Sequence, residues 1–293
     1  MIRLIASDVD GTLIKDSTPD LYPEMVRAIR ELKKRGILFC AASGRQYESL
    51  RNVFREVADD IAYIAENGAL ICYRNEIISV TPMRREHITG IMEMLRPYYG
   101  RCEAVVSTTK GSLVESKNQE FLDLLTYGYH NAFRKVEDVL KEDDEIIKIA
   151  ACQRGSIRKL GEDILIPSWK DKVKVCMAGE EWVDFMDKSV DKGVGLKLLQ
   201  ETLGIKREET MAFGDNDNDI GMMAAAGESY AVDTATREVK HAAKGSCPGW
   251  AEKGVYQIID TKILQNKRMN GMKEHIPHLF GQFVNCIQHI VIV

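Results

Sequence analysis

A chain of 293 residues has room for about two domains. Its 45% hydrophobic and 29% charged residues are an ordinary soluble globular balance, and a formal net charge of −4 gives nucleic acid no basic footprint. No uninterrupted apolar run reaches the roughly 18 residues of a membrane helix, and the first apolar stretch, broken by Arg3 and ended by Asp8, is unlike a signal peptide. Cys40, Cys72, Cys102, Cys152, Cys176, Cys247 and Cys286 form no CxxC pair. Their odd number and apolar neighbourhoods fit reduced thiols, so a cytoplasmic location is expected.

Residues 2–7 are short and mostly apolar, which predicts a strand. Over 23–35, Val26, Ile29 and Leu32 recur at helical spacing, and Gly36 marks the stop. Strands follow over 37–42 and 61–65, separated by Ser43-Gly44-Arg45 and a helix over 46–57. This β-α-β-α-β rhythm predicts a parallel sheet covered by helices on both faces. Residues 70–73 and 77–80 flank Arg74-Asn75-Glu76 as a hairpin. The texture then changes. Strands are predicted over 102–106, 112–115, 146–151, 172–177 and 182–186, with helices over 85–95, 119–125 and 157–165. Lys172-Val173-Lys174-Val175 alternates like a half-exposed antiparallel strand, and Ala178-Gly179 marks its hairpin. This block reads as an α+β domain inserted into the first. The α/β rhythm resumes at Asp191 with a helix over 192–203, ended by Gly204. A strand over 210–213, a helix over 219–226, a strand over 230–232 and a helix over 236–243 follow. From about Gln265 a poorly ordered or packed terminus is expected.

The chemical signal lies in two acidic clusters, each directly after an apolar run. In Asp8-Val9-Asp10-Gly11-Thr12 the aspartates are two apart, so on an extended chain their side chains project to one side. Gly11 permits a sharp turn where the strand ends. Paired carboxylates can divide labour, which assigns nucleophilic attack to Asp8 and acid–base work to Asp10. The blander reading of an isolated DxD is a pair of loop aspartates capping a turn. Gly214-Asp215-Asn216-Asp217-Asn218-Asp219 weighs against it. Carboxylates packed together raise one another's pKa unless a cation intervenes, and Mg²⁺ takes carboxylate, carbonyl and water oxygens. Asp8, the Asp10 carbonyl and Asp215 are the expected ligands, with Asp219 as an outer ligand or water holder and Asn218 as an orienting hydrogen-bonder. A helix-capping loop is the plainer alternative, and Asp217 is given only that role. The glycine and distal glutamate of an EF-hand are missing. Thr12 and Ser43 are hydroxyls just past strand ends, able to donate to phosphoryl oxygens or, singly, to cap a turn. Lys192 starts a helix against its dipole, which suits anion binding; alone it would be a solvated surface lysine.

Together these residues resemble the haloacid dehalogenase (HAD) superfamily of phosphohydrolases. Its DxDGT first motif is matched by Asp8-Val9-Asp10-Gly11-Thr12 and its second by Ser43 in Ala42-Ser43-Gly44-Arg45. Lys192 matches the third motif and Gly214-Asp215-x-x-Asn218-Asp219 the fourth. Glu66-Asn67-Gly68-Ala69 looks like the Cof-type subgroup, whose C2B cap is inserted between the second and third motifs. The resemblance covers roughly residues 1–260. It implies an α/β fold: a Rossmann-like parallel-sheet core over 1–82 and 188–265, an inserted α+β cap over 83–187, and a tail over 266–293 without a counterpart. It also implies Mg²⁺-dependent hydrolysis of a phosphomonoester through an aspartyl-phosphate on Asp8. Ser43, Gly44 and Lys192, with Thr12 and Asn218, would hold the phosphoryl group.

A cap of that size favours small substrates such as sugar phosphates over protein surfaces. The expected partner is a small phosphorylated metabolite, with neither nucleic acid nor membrane, and the expected assembly a monomer or homodimer. A sugar phosphomutase shares the fold and first motif; a catalytically idle binding or regulatory protein is disfavoured by the complete acid set. Arg45 is open between a substrate anion and a surface ion pair, and Asn67 between a site residue and an ordinary Asn-Gly turn. Asp233 departs from the family pattern and would act on substrate fit. Trp169 and Trp182 are expected in the core. Pro277 disfavours metal binding by His275 and His278.

Overall fold

The computed structural model describes residues 1–265, apart from Asp16, Ser17, Pro19 and His130. Two sheets organise them. The first begins with β1 (Leu4–Asp8), β2 (Leu38–Ala42), β3 (Ala62–Ala65), β4 (Leu70–Tyr73) and β5 (Glu76–Val80). The chain then leaves to build a second sheet from β6 (Glu103–Thr108), β7 (Gly111–Val114), β8 (Phe133–Lys135), β9 (Ile146–Cys152), β10 (Lys174–Met177) and β11 (Trp182–Met186). It returns to complete the first with β12 (Thr210–Gly214), β13 (Glu228–Val232) and β14 (Gly245–Cys247).

Across the first sheet the order is β14-β13-β12-β1-β2-β3-β4-β5. Strands β14 to β3 are parallel, and β4 and β5 turn back antiparallel. β1 is central: Leu4 pairs with Leu38 on one side and Thr210 on the other. All five of its residues are buried, as a parallel strand covered on both faces requires. The covering helices follow the predicted spacing. In Pro23–Lys34, proline occupies the first turn, Lys33 and Lys34 the last, and Met25, Val26, Ile29 and Leu32 are buried. Each such side chain contributes roughly 1.5–3 kcal/mol by leaving water. The β4–β5 hairpin turns through Arg74 (φ 54°) and Asn75 (φ 62°), the two positive φ values of a type I′ turn.

The second sheet has the order β10-β11-β9-β6-β7-β8 and is antiparallel except for β7 and β8. Its two faces differ. Ala104, Val106, Ile149, Ala151, Val183 and Phe185 pack into a core with Ile88, Ile91, Met92 and Leu95 of the Arg85–Leu95 helix and with Trp169. Their sequence neighbours Val105, Ser107, Lys148, Ala150, Trp182 and Asp184 face a cleft. Period-two alternation thus fixes which residues can meet a ligand, because slipping a strand by one residue would exchange the faces.

Periodicity predicts neither the three-residue strands β8 and β14 nor the Gly254–Ile259 helix. The helix predicted over 157–165 runs on to Ile166–Trp169, widening through Gly161–Leu165 just before Pro167. A wider turn accommodates the ring and the missing N–H of proline. Cys40, Cys72, Cys102, Cys152, Cys176 and Cys247 are free. Among the described residues no helix is long and apolar enough to cross a membrane. Cys286, His275, His278 and the tail predicted over 266–293 lie outside the described residues.

Candidate active site

The two acidic clusters meet beyond the C-terminal ends of β1 and β12, where open α/β sheets hold their ligands. Asp8 is the last residue of β1, and Asp215 follows the last residue of β12. Glycines make the approach possible. Gly11 has φ 83°, and a Cβ there would lie 2.6 Å from Asp215 Oδ2. A Cβ on Gly193 would lie 2.2 Å from the Gly221 backbone. The Lys192–Leu203 and Ile220–Ala225 helices therefore pack in close contact, and Lys192 reaches Asp219.

Lys192 is buried, not a solvated surface lysine. Its Nζ donates to Asp8 Oδ1 at 2.6 Å and to Asp219 Oδ1 at 2.7 Å. Burial opposes its charge, but Asp219 and Asp8 outweigh burial and hold the ammonium above the usual lysine range. Asp219 Oδ2 accepts the Asp215 and Asn216 N–H groups at 3.0 and 3.1 Å. Both of its oxygens are thus engaged by protein, one by Lys192 and the other by the backbone of Asp215 and Asn216. Thr12, expected to donate to phosphoryl oxygens, donates its hydroxyl to Asp215 Oδ1 at 2.6 Å.

Carboxylate oxygens of Asp8, Asp215 and Asp219 lie within 4.8 Å of one another. With Lys192 as their ammonium, three ionised carboxylates leave two negative charges unbalanced. Asp8 Oδ2 is buried without a hydrogen-bond partner among the described residues. Burial pushes the Asp8 carboxyl well above the usual carboxylate range; Lys192 pulls it back in part, and Asp219 and Asp215 push further. Burial raises Asp215 too, against the hydrogen bond from Thr12. A buried orphan oxygen, an all-carboxylate donor set and a deficit of two charges fit a hard divalent cation.

Asp10 stands apart from this cluster. The strand ends at Asp8, so the alternation that predicted a shared side does not extend to Asp10, which forms a lone bridge with Ile14. Its carboxylate receives Arg45 Nε at 2.7 Å and Nη2 at 2.5 Å. Arg45 therefore makes a partly buried ion pair within the site. Ser43 is buried, and Gly44 approaches Asn67 so closely that a Cβ would lie 3.1 Å from its Nδ2. Asn218 Nδ2 donates to Asn67 Oδ1 at 2.9 Å, so Asn67 belongs to the site.

Above these residues opens a cleft of about 830 Å³, lined by both sheets. Trp182, expected in the core, lines it; its Nε1 donates to the Tyr129 hydroxyl at 3.0 Å. Trp169 is buried as expected, while Asp233 is exposed and lies off the cleft. Sequence reasoning missed Lys148 and Asp184, which line the cleft while buried, and Glu66 beside them. Ile146-Ile147-Lys148-Ile149 and Val183-Asp184-Phe185 carried the signal: a charge inside an apolar strand needs a partner.

A crossover-connected α/β sheet with this acid cluster at its carboxyl edge defines a HAD-type hydrolase. Residues 5–259 match the family model of haloacid dehalogenase-like hydrolases, and the chain belongs to that family. It is 27% identical over 268 residues to the 5-amino-6-(5-phospho-D-ribitylamino)uracil phosphatase YbjI of Escherichia coli K12, covering 91% of this chain and 97% of that protein. It is 28% identical over 243 residues to a phosphoglycolate phosphatase of Methanopyrus kandleri, covering 83% and 89%. A solved structure from Eubacterium rectale superposes with a TM-score of 0.80 at 33% identity, covering 89% of this chain and 99% of its own. The Cof-type HAD resemblance and the α/β fold are borne out, and the chain is an enzyme whose named relatives are phosphatases.

Proposed function

We propose that this enzyme is a Mg²⁺-dependent phosphatase of small phosphomonoesters that works through an aspartyl-phosphate on Asp8. The observation that carries the reading is the Asp8 carboxylate, buried at the foot of the cleft, held by Lys192 on one oxygen and, among the described residues, without a hydrogen-bond partner on the other. Asp8, Asp215 and the Asp10 carbonyl would hold the ion. Bound there, Mg²⁺ supplies charge neutralisation for the phosphoryl oxygens.

The chain's residues do the rest. A carboxylate oxygen of Asp8 forms a bond to phosphorus as the ester P–O bond breaks, and the leaving oxygen takes a proton from Asp10. Asp10 then removes a proton from water, which attacks phosphorus, releases inorganic phosphate and restores Asp8. Arg45 pairs with Asp10 in its ionised form, the form that takes the proton from water. Ser43, Gly44 and Lys192 bind the transferring group, with Asn218 holding Asn67 against it. Asp219 and Thr12 act by fixing Lys192 and Asp215.

Residues 1–82 and 188–265 act as the core in this reading, and 83–187 as a cap that excludes water and selects the leaving group. The volume of the cleft suits a small metabolite. Relatives named for a ribityl phosphate and for phosphoglycolate support a small phosphomonoester. A cytoplasmic setting is part of the same reading, supported by the free cysteines among the described residues. The test is phosphate release from a panel of sugar phosphates, nucleotides and cofactor phosphates, with Mg²⁺ and with chelator. Mg²⁺-dependent release from a few compounds is expected; release that ignores the chelator would sink the metal assignment.

A further inference from the structure

One buried charged group between the two sheets has no part in the proposed chemistry. Lys148, on β9, reaches the Gly44 carbonyl at 2.8 Å, the Glu66 carboxylate, and Asp184 Oδ2 at 3.4 Å. An ammonium has three N–H donors, and this one meets a carbonyl by a hydrogen bond and two carboxylates by ion pairs. Gly44 and Glu66 follow strands of the first sheet, whereas Lys148 and Asp184 belong to the second. All three charged residues are buried.

The Gly44 contact completes a pattern. The Ser43 carbonyl accepts from the Asn67 N–H at 2.9 Å, Gly44 from Lys148, and Arg45 from the Glu66 N–H at 3.0 Å. Only the middle donor comes from the second sheet. The other two come from a turn in which Glu66 (φ 50°), Asn67 (φ 59°) and Gly68 (φ 104°) all have positive φ. Consecutive non-glycine residues in that region are strained and persist only where their surroundings impose them. Through Glu66, Lys148 holds this turn as well.

We propose that Lys148 is a positioning residue, which bridges Asp184 to Gly44 and Glu66 and so sets the Ser43–Arg45 loop in its phosphoryl-binding shape while the second sheet covers the site. Its kinetic consequence rests on the phosphatase reading above; its structural consequence does not.

Removing Lys148 alone would leave two buried carboxylates unpaired, so the test uses the full chain carrying Lys148→Met, Glu66→Gln and Asp184→Asn together. Amide hydrogen exchange is followed at 43–46 and 66–68, affinity for inorganic phosphate by calorimetry, and kcat and KM with p-nitrophenyl phosphate and Mg²⁺. Faster exchange is expected at those amides but not along β1 and β12. Phosphate should bind about tenfold more weakly, the scale of one charged hydrogen bond. The ratio kcat/KM should fall about a hundredfold, the effect of displacing a reacting group by roughly 1 Å. A folded triple variant with parental exchange and phosphate affinity overturns the proposal and leaves Lys148 a balanced packing charge. If the triple variant does not fold, Lys148→Arg, which keeps the charge on a wider head group, is read by the same measurements with the same expectations. If the parent cleaves no ester, the phosphatase reading falls, and hydrogen exchange still decides the role of Lys148.

Discussion

Lys192 and Lys148 are both buried, and each sits between two carboxylates from distant parts of the chain. Burial works against both charges, yet Asp219 and Asp8 around one, and Asp184 and Glu66 around the other, hold both ammonium groups above the usual lysine range. The surroundings then diverge. Lys148 donates to the Gly44 carbonyl, and its two carboxylates leave one negative charge unbalanced. Around Lys192 a third carboxylate, Asp215, raises that excess to two and lies close enough to share one ion with Asp8 and Asp219. Among the described residues each cluster keeps one buried oxygen without a hydrogen bond, Asp8 Oδ2 in one and Glu66 Oε2 in the other. The larger the uncompensated negative charge in a buried cluster, the more that cluster gains from a cation.

The largest effect expected from that contrast is chemical. Asp8→Asn should lower kcat by at least about 10⁴-fold, as loss of a nucleophile does. Phosphate release measures it, and a variant that keeps its rate would show that the cluster around Lys192 is not the reactive one. Stability comes next. Lys148→Met and Lys192→Met should each cost about 3–5 kcal/mol in urea unfolding, because each leaves buried carboxylates unpaired. Mg²⁺ should restore part of the loss for Lys192→Met and none for Lys148→Met; equal rescue would erase the distinction. Third, at a concentration 100 times its Kd, Mg²⁺ should stabilise the chelated parent by about 2.7 kcal/mol. Asp215→Asn should remove that gain and Asp184→Asn should leave it.

The smallest effect is a slope. The folded-state pKa of Asp215 is raised by burial, so in chelator the unfolded chain releases this proton first. The folded state is therefore progressively destabilised as pH rises from the ordinary carboxylate pKa of about 4 through the raised value. Asn at 215 cannot ionise. The melting temperature of chelated Asp215→Asn should gain on that of the parent between pH 4 and 8; a constant difference would show that burial does not raise the Asp215 carboxyl.

The core sheet and the acid motifs were legible in the sequence because each rests on local pattern. Apolar runs, Gly36, Gly204 and the DxDGT turn announce themselves within a few residues. Pairing between distant residues was not legible. Lys192 reads as an exposed lysine until the Gly193–Gly221 contact brings Asp219 to it. Thr12 reads as a phosphate donor until Asp215 arrives to accept its hydroxyl. Trp182 was assigned to the core because an aromatic in an alternating strand does not reveal which face is covered. Lys148 and Asp184 carried the strongest unused signal, since each stands alone in an apolar strand.

The place of β1 in its sheet also bears on synthesis. The strand emerges first, yet its neighbour on one side begins only at Thr210. At about 5–20 residues per second, the intervening chain takes on the order of ten seconds or more to appear. Throughout that interval a strand that is wholly buried in the finished fold presents an unpaired edge, the feature that invites association with other chains. A ribosome-bound chain at this stage needs shielding, and any fragment ending before Thr210 keeps the edge permanently. Asp8, among the first residues made, gains Lys192, Asp215 and Asp219 as neighbours only when about two-thirds of the chain or more has been made.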